Sequence, residues 1–229
     1  MKKSLLIAQF IIITLLVSCS QNVKTTAEQP YGEKSGILTF KPINANGVKM
    51  TQTVYFDEFG KKEVTETVVE GSQNGMNFKQ HTVVIKEGNV FYRYMLSNSF
   101  NGEDKAVKEA YKITLPKEML EQTNIMGYTA DMKKKFDYKE EGKETVAGLK
   151  GVKYSMSPDT INHTEKIQGV HYKNIPLKLV MGTNELVVEK AQLNVSVPAD
   201  KFKVPADYKI VDPNAMPQMM PEVDSTKKH

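Results

Sequence analysis

Apolar and polar residues alternate with a period of two over much of this chain, the pattern of strands that bury one face and wet the other. Val48, Met50, Val54 and Phe56 fall on one parity and Lys49, Thr51 and Thr53 on the other, before Asp57-Glu58-Phe59-Gly60 turns the chain. A second strand is predicted from Lys62 to Glu70. Residues 78–86 and 90–96 are rich in Val, Ile, Tyr and Phe and flank Glu87-Gly88-Asn89, a compact turn, so a hairpin is expected there. Further on, Ile175, Leu177, Leu179 and Met181 share one parity up to Gly182-Thr183-Asn184. The alternation resumes with Ala191, Leu193, Val195 and Val197 against Lys190, Gln192, Asn194 and Ser196, the clearest hairpin signal in the chain.

Helix signals are confined to the middle. Pro116 suits a first helical position, Glu118 complements the N-terminal dipole, and Met119 and Leu120 supply an apolar patch before Gly127. Residues 129–135 predict a second short helix. The expected architecture is mainly β with a minor α component: a large curved antiparallel sheet with one or two short helices covering its concave face. Such a sheet must close or be covered, because open edges invite unwanted pairing.

Length and composition, 229 residues with 40% hydrophobic and 25% charged, fit one globular domain and exclude collagen or a multispan membrane protein. Lys2 and Lys3 precede an uncharged, almost wholly apolar run from Leu5 to Val17. That run, about 13 residues, is too short for a bilayer core of roughly 30 Å and reads as a secretory signal. It ends in Leu16-Val17-Ser18-Cys19, which resembles the bacterial lipoprotein signal, and Cys19 is the only cysteine in the chain. The resemblance implies cleavage before Cys19 and acylation of its thiol, which would leave the protein anchored without a transmembrane span. The expected organisation is a signal peptide at 1–18, a lipidated cysteine and flexible tether at 19–34, one domain at 35–211, and a disordered Pro/Met-rich tail at 212–229. No acidic cluster follows Cys19; by similarity to known sorting signals, that points to an outer-membrane lipoprotein facing the periplasm.

The C-terminal half carries a more specific likeness. The stretch from Gly142-Lys143-Glu144-Thr145-Val146-Ala147-Gly148 to Leu149-Lys150-Gly151-Val152-Lys153-Tyr154, then Ile175-Pro176-Leu177-Lys178, then residues 198–208 with Phe202 and Tyr208, resembles a family of Bacteroidetes-type envelope lipoproteins with a domain of unknown function. The whole reading is similar to the unclosed β-barrel of the lipoprotein localisation factor superfamily. The resemblance implies a half-barrel with an apolar interior, Phe202 and Tyr208 packing a closing segment onto the sheet, and no catalytic residue. Gly151 stands where those relatives often carry a cysteine.

Chemistry beyond this is sparse. The 31 basic and 27 acidic residues are interleaved, which argues against nucleic-acid binding. His81, His163, His171 and His229 lack metal-ligand spacing, and His81 and His171 are expected to be half-exposed on strands. No Gly-x-Ser-x-Gly elbow, dinucleotide fingerprint or phosphate loop occurs. Paired carboxylates such as Glu140-Glu141 sit among lysines that keep them ionised. Lys133-Lys134-Lys135 reads as a wet helix face. Met216, Met219 and Met220 offer soft thioethers of the kind Cu(I) takes, but no second cluster reinforces them. We therefore expect no enzyme, cofactor or metal. The expected partners are the membrane, through acylated Cys19, and a hydrophobic ligand or acyl chain against Met50, Val54, Phe56, Phe78, Leu177, Leu179, Leu193 and Val195. The rival reading keeps the same sheet packed solid, with its edges or helices docking to an envelope protein.

Overall fold

The computed structural model describes residues 29–73, 75–116, 130–157 and 166–212. Along the chain these form β1 (Gly36–Phe40), β2 (Ile43–Ala45), β3 (Val48–Asp57), β4 (Lys62–Gln73), β5 (Met76–Glu87), β6 (Val90–Phe100), β7 (Glu103–Asp104) and β8 (Glu109–Thr114). After them come α1 (Ala130–Lys135), β9 (Lys139–Val146), β10 (Leu149–Met156), β11 (Ile167–Tyr172), β12 (Ile175–Met181), β13 (Asn184–Leu193) and β14 (Lys209–Val211). All fourteen strands join one curved, unclosed sheet in the order β14-β8-β6-β5-β4-β3-β1-β13-β12-β11-β10-β9, with β2 and β7 paired to the sides of β3 and β6. Each pairing is antiparallel except that of β14 with β8. The mainly-β curved sheet expected from the alternation, in the half-barrel form that the resemblance implies, is the architecture observed.

Both anticipated hairpins form. Gly88-Asn89 turns β5 into β6 with Glu87 opposite Val90, and Gly182-Thr183 turns β12 into β13 with Met181 opposite Asn184. Ala147 and Gly148, at φ 49° and 79°, make the tight turn between Val146 and Leu149. That left-handed pair matches the strand twist and favours glycine at its second position. In β13 the buried parity changes between Val188 and Ala191, because Glu189 is bulged out between the partners of Phe40 and Thr39.

Three apolar clusters hold the sheet. The largest joins Tyr31, Leu38, Phe40, Val54 and Phe56 to Val146, Val170, Ile175, Leu177 and Val188, so it ties the first strands to the C-terminal ones. A smaller one gathers Phe136 and Tyr138, just after α1, with Ile167 and Leu179 around buried Tyr154 and Met156; Tyr138 stacks on Tyr154 at 5.5 Å. The third packs Val64, Val83, Ile85, Tyr94 and Ala110 under Phe202, Val204 and Tyr208, the closing segment that the sequence likeness implies.

Three expectations need correcting, for the extent of the tether, for His171 and for Lys133. Residues 31–34, assigned above to the tether, belong to the folded body. Tyr31 is buried edge-on against Phe56 and donates its hydroxyl proton to Glu63, Gly32 N–H bonds the Lys173 carbonyl at 2.8 Å, and Glu33 pairs with Lys173 at 2.7 Å. One aromatic anchor outweighs the polar composition around it. His171 is fully buried instead of half-exposed, because β11 is an interior strand and the Tyr154 ring lies 5.8 Å away. Of the two expected helices, residues 130–135 form α1 and 117–127 lie outside the described residues. Lys134 and Lys135 are exposed as expected, whereas Lys133 is half-buried with its Nζ 4.9 Å above the Tyr138 ring.

Candidate functional site

Cross-strand partners in an antiparallel ladder point to the same side of the sheet, so the registers assign faces residue by residue. One face of β3–β6 and β8 is built of rows. The first is Phe56, Glu63, Lys86, Phe91 and Ile113; the second is Val54, Thr65, Val84, Arg93 and Tyr111; the third is Gln52, Thr67, Thr82 and Met95. Beyond them come Met50, Val69, Gln80 and Asn98, and then Val48, Gly71, Phe78 and Phe100. Neighbouring strands stand about 4.8 Å apart and neighbouring rows about 7 Å. Gln52 and Arg93 therefore bracket a patch about 15 Å across.

This face is buried yet polar at its centre. Gln52, Thr65, Thr67, Thr82 and Glu63 are all under 7% exposed. The Gln52 Oε1 has no hydrogen-bond partner, which for a buried acceptor is an uncompensated loss of hydration. Glu63 is engaged by Tyr31, whose own ionisation is pushed up by burial first and by Glu63 next. Arg93, the only arginine in the chain, and Lys86 are half-buried on the same face, and among the described residues neither has an ion-pair partner. At the far end the rows turn apolar, and Met76 and Phe100 stand 53% and 38% exposed.

The opposite parity of the same strands is finished differently. There Glu66 pairs with Lys201 at 2.6 Å and faces His81 at 3.8 Å. The Tyr208 hydroxyl donates to the Met95 carbonyl at 2.7 Å. Burial, with Glu66 adding to it, pushes the Tyr94 hydroxyl up to about 12. On that side Glu66 and the Tyr208 hydroxyl have partners, while the His81 Nε2 is buried without a hydrogen bond.

The structure separates the eight apolar positions singled out from sequence. Val54, Phe56 and Leu177 lie in the largest core cluster, Leu193 packs against it, and Leu179 packs on Tyr154 and Met156. Met50 and Phe78 are half-buried on the far rows of the polar-centred face, and Val195 is half-buried just after β13. Cys19, His163, His229 and the methionines of the tail lie outside the described residues. The sequence reading passed over Gln52, Thr65, Thr67, Thr82, Lys86 and Arg93. Two signals pointed to them: one arginine among 31 basic residues, and a glutamine on the apolar parity between Met50 and Val54. Among the described residues no group of acidic, histidine or cysteine side chains is arranged to hold a metal. What the face offers is unpaired cations, hydroxyls and a free acceptor beside an apolar strip, a combination that suits a ligand with a polar end and a greasy one.

No family model matches this chain, and no curated protein matches it. Among solved structures it is similar to the MucA/MucB complex of Pseudomonas aeruginosa, with 14% identity, a TM-score of 0.43 and coverage of 81% of this chain and 60% of that one. It is likewise similar to a crystal structure of MucB, with 14% identity, a TM-score of 0.42 and coverage of 81% and 62%. A third is MucB in complex with MucA(peri), with 13% identity, a TM-score of 0.43 and coverage of 81% and 58%. The chain thus spans about 60% of the length of these structures.

Proposed function

We propose that this protein is a non-enzymatic bacterial envelope lipoprotein, anchored through acylated Cys19, whose half-barrel binds a hydrophobic ligand or acyl chain along the face of β3–β6. The observation that carries the reading is the composition of that face: Gln52, Thr65, Thr67 and Thr82 are buried on the same parity as Met50, Val69 and Phe78. The Gln52 Oε1 is buried without a partner, which costs stability, and a surface used for packing alone has no reason to retain it. An amphipathic ligand gives both halves of the face a use.

Native mass spectrometry of the full protein released gently from the envelope, paired with lipid extraction, tests this. A bound acyl species that is lost on substituting Phe78→Asp or Met50→Asp is the expected result. A protein that emerges empty and takes up no apolar probe overturns the binding role. The anchor is tested separately by feeding cells an alkynyl fatty acid: label should appear on the protein and vanish in Cys19→Ser.

A second reading has its own observation. Val54, Phe56 and Leu177 are committed to solid core, while Met76, Leu96, Phe100, Val107 and Ile210 are exposed apolar residues. On this reading the sheet is scaffold, and an envelope protein docks on its exposed strand ends. Crosslinking from Met76 and Phe100 in intact cells, with no lipid recovered, would favour it.

A further inference from the structure

The face described above carries more charge than an acyl chain needs. Arg93 and Lys86 are diagonal neighbours on it, through the pairing of Val84 with Arg93 and of Lys86 with Phe91. Both are half-buried. Several other lysines of the fold have carboxylates to match: Glu70 takes Lys49 and Lys79, Glu66 takes Lys201, and Lys178 bridges Glu144 and Glu185. Glu63 lies directly opposite Lys86 yet forms no ion pair with it, its carboxylate being taken by the Tyr31 hydroxyl. A guanidinium left half-buried and unpaired loses hydration without compensation, unless something else supplies the anion.

Its surroundings define that something. Thr82 lies diagonal to Arg93, and Thr65 lies in the same row. Planar bidentate donors favour carboxylate and phosphate, and threonine hydroxyls complete the shell of such an oxyanion. The rows that follow, with Met50, Val69 and Phe78, offer apolar surface to a chain attached to it.

We infer that Arg93, with Lys86 and Thr82, is an anion-recognition site for the head of an amphiphile, a carboxylate or phosphate joined to a single acyl or alkyl chain that runs toward Met50 and Phe78. This deepens the function proposed above and rests on it, since the chain is what the apolar rows would hold. It adds what that reading left open, the charge and position of the head.

The test uses the full chain carrying Cys19→Ser and three probes of equal length: dodecanol, dodecanoate and dodecyl phosphate. Calorimetric titration should give tighter binding of both anionic probes than of dodecanol. Arg93→Gln should weaken the anionic probes about tenfold, the loss expected for one charge-assisted contact, and leave dodecanol unchanged. Arg93→Lys should recover part of the loss, and matching thermal melts of the variants exclude misfolding as the cause. The carboxylate-to-phosphate ratio identifies the kind of head. Equal affinity for all three probes, or an Arg93→Gln effect of the same size on dodecanol, overturns the inference while leaving an apolar site standing. Displacement of dodecanoate by inorganic phosphate at equal concentration also overturns it, in favour of a site for free anions. If no probe binds, the ligand-binding reading itself falls and takes this site with it.

Discussion

The two faces of β4–β6 are made from the same strands and differ in how they are completed. On one, Val64, Val83, Ile85, Tyr94 and Ala110 are sealed by Phe202, Val204 and Tyr208 from the chain's own C-terminal segment, and the charge at its margin, Glu66, is satisfied by Lys201. On the other, buried Gln52, Thr65, Thr67 and Thr82 lie beside Arg93 and Lys86, with an acceptor and two cations unmatched. Polar groups buried without partners lower stability, and cores are ordinarily free of them. The contrast teaches that the first face is covered by the chain's own C-terminal segment, with the His81 Nε2 left as a buried orphan, whereas the second keeps unmatched polar groups at its centre. On the ligand-binding function proposed above, the second is completed by what it binds.

The largest test of the contrast is on the closed face. Ile85 is 2% exposed, and Ile85→Ala should lower the unfolding free energy by about 3 kcal/mol in a urea titration, because the sealed cluster cannot collapse into the gap. A loss under about 1 kcal/mol would mean that this face is not closed.

His171 sharpens the comparison from the C-terminal half. It is buried with both ring nitrogens unpartnered, and burial, with Lys133 adding to it, pushes its pKa down to about 4. The unfolded chain, with an ordinary pKa near 6.5, binds the proton first as pH falls. Stability should therefore hold above about pH 6.5 and fall between about pH 6.5 and pH 4, by a few kcal/mol at the limit. His81, also lowered by burial, contributes in the same direction. Thermal melts across that window should show the fall, and His171→Leu should flatten most of it. An unchanged slope would place the imidazole in contact with water.

A smaller effect is expected where a polar group on the closed face has its partner. Tyr208→Phe removes the hydroxyl that donates to the Met95 carbonyl at 2.7 Å and should cost about 1 kcal/mol, read as a melting temperature lower by about 3 °C.

Much of this fold was legible from alternation alone. The parity of Val48, Met50, Val54 and Phe56 assigned a face correctly, and so did that of Ala191, Leu193, Val195 and Val197, because a strand with one wet side writes its burial directly into the sequence. The site was much less legible. Alternation sorts residues by hydropathy, so it placed Val54 and Phe56, which are packed in the core, with Met50 and Phe78, which are half-buried farther along the same face. It passed over Gln52 and Arg93 because a polar residue on a buried face looks like an interruption until registers show that Thr65, Thr67 and Thr82 share it. Tyr31 escaped for another reason: its contacts with Phe56 and Glu63 are long-range, and local composition carries no trace of them.

Gln52 offers the most direct measurement of the central claim, that this face is kept for a ligand at the expense of stability. Gln52→Met replaces the orphaned Oε1 acceptor by an apolar side chain of similar length, and its melting temperature and its affinity for dodecanol, whose hydroxyl can donate to that acceptor, are measured on the same sample. The account predicts a melting temperature unchanged or raised by about 3 °C, together with weaker binding. A lowered melting temperature with binding intact would contradict it and return Gln52 to the core.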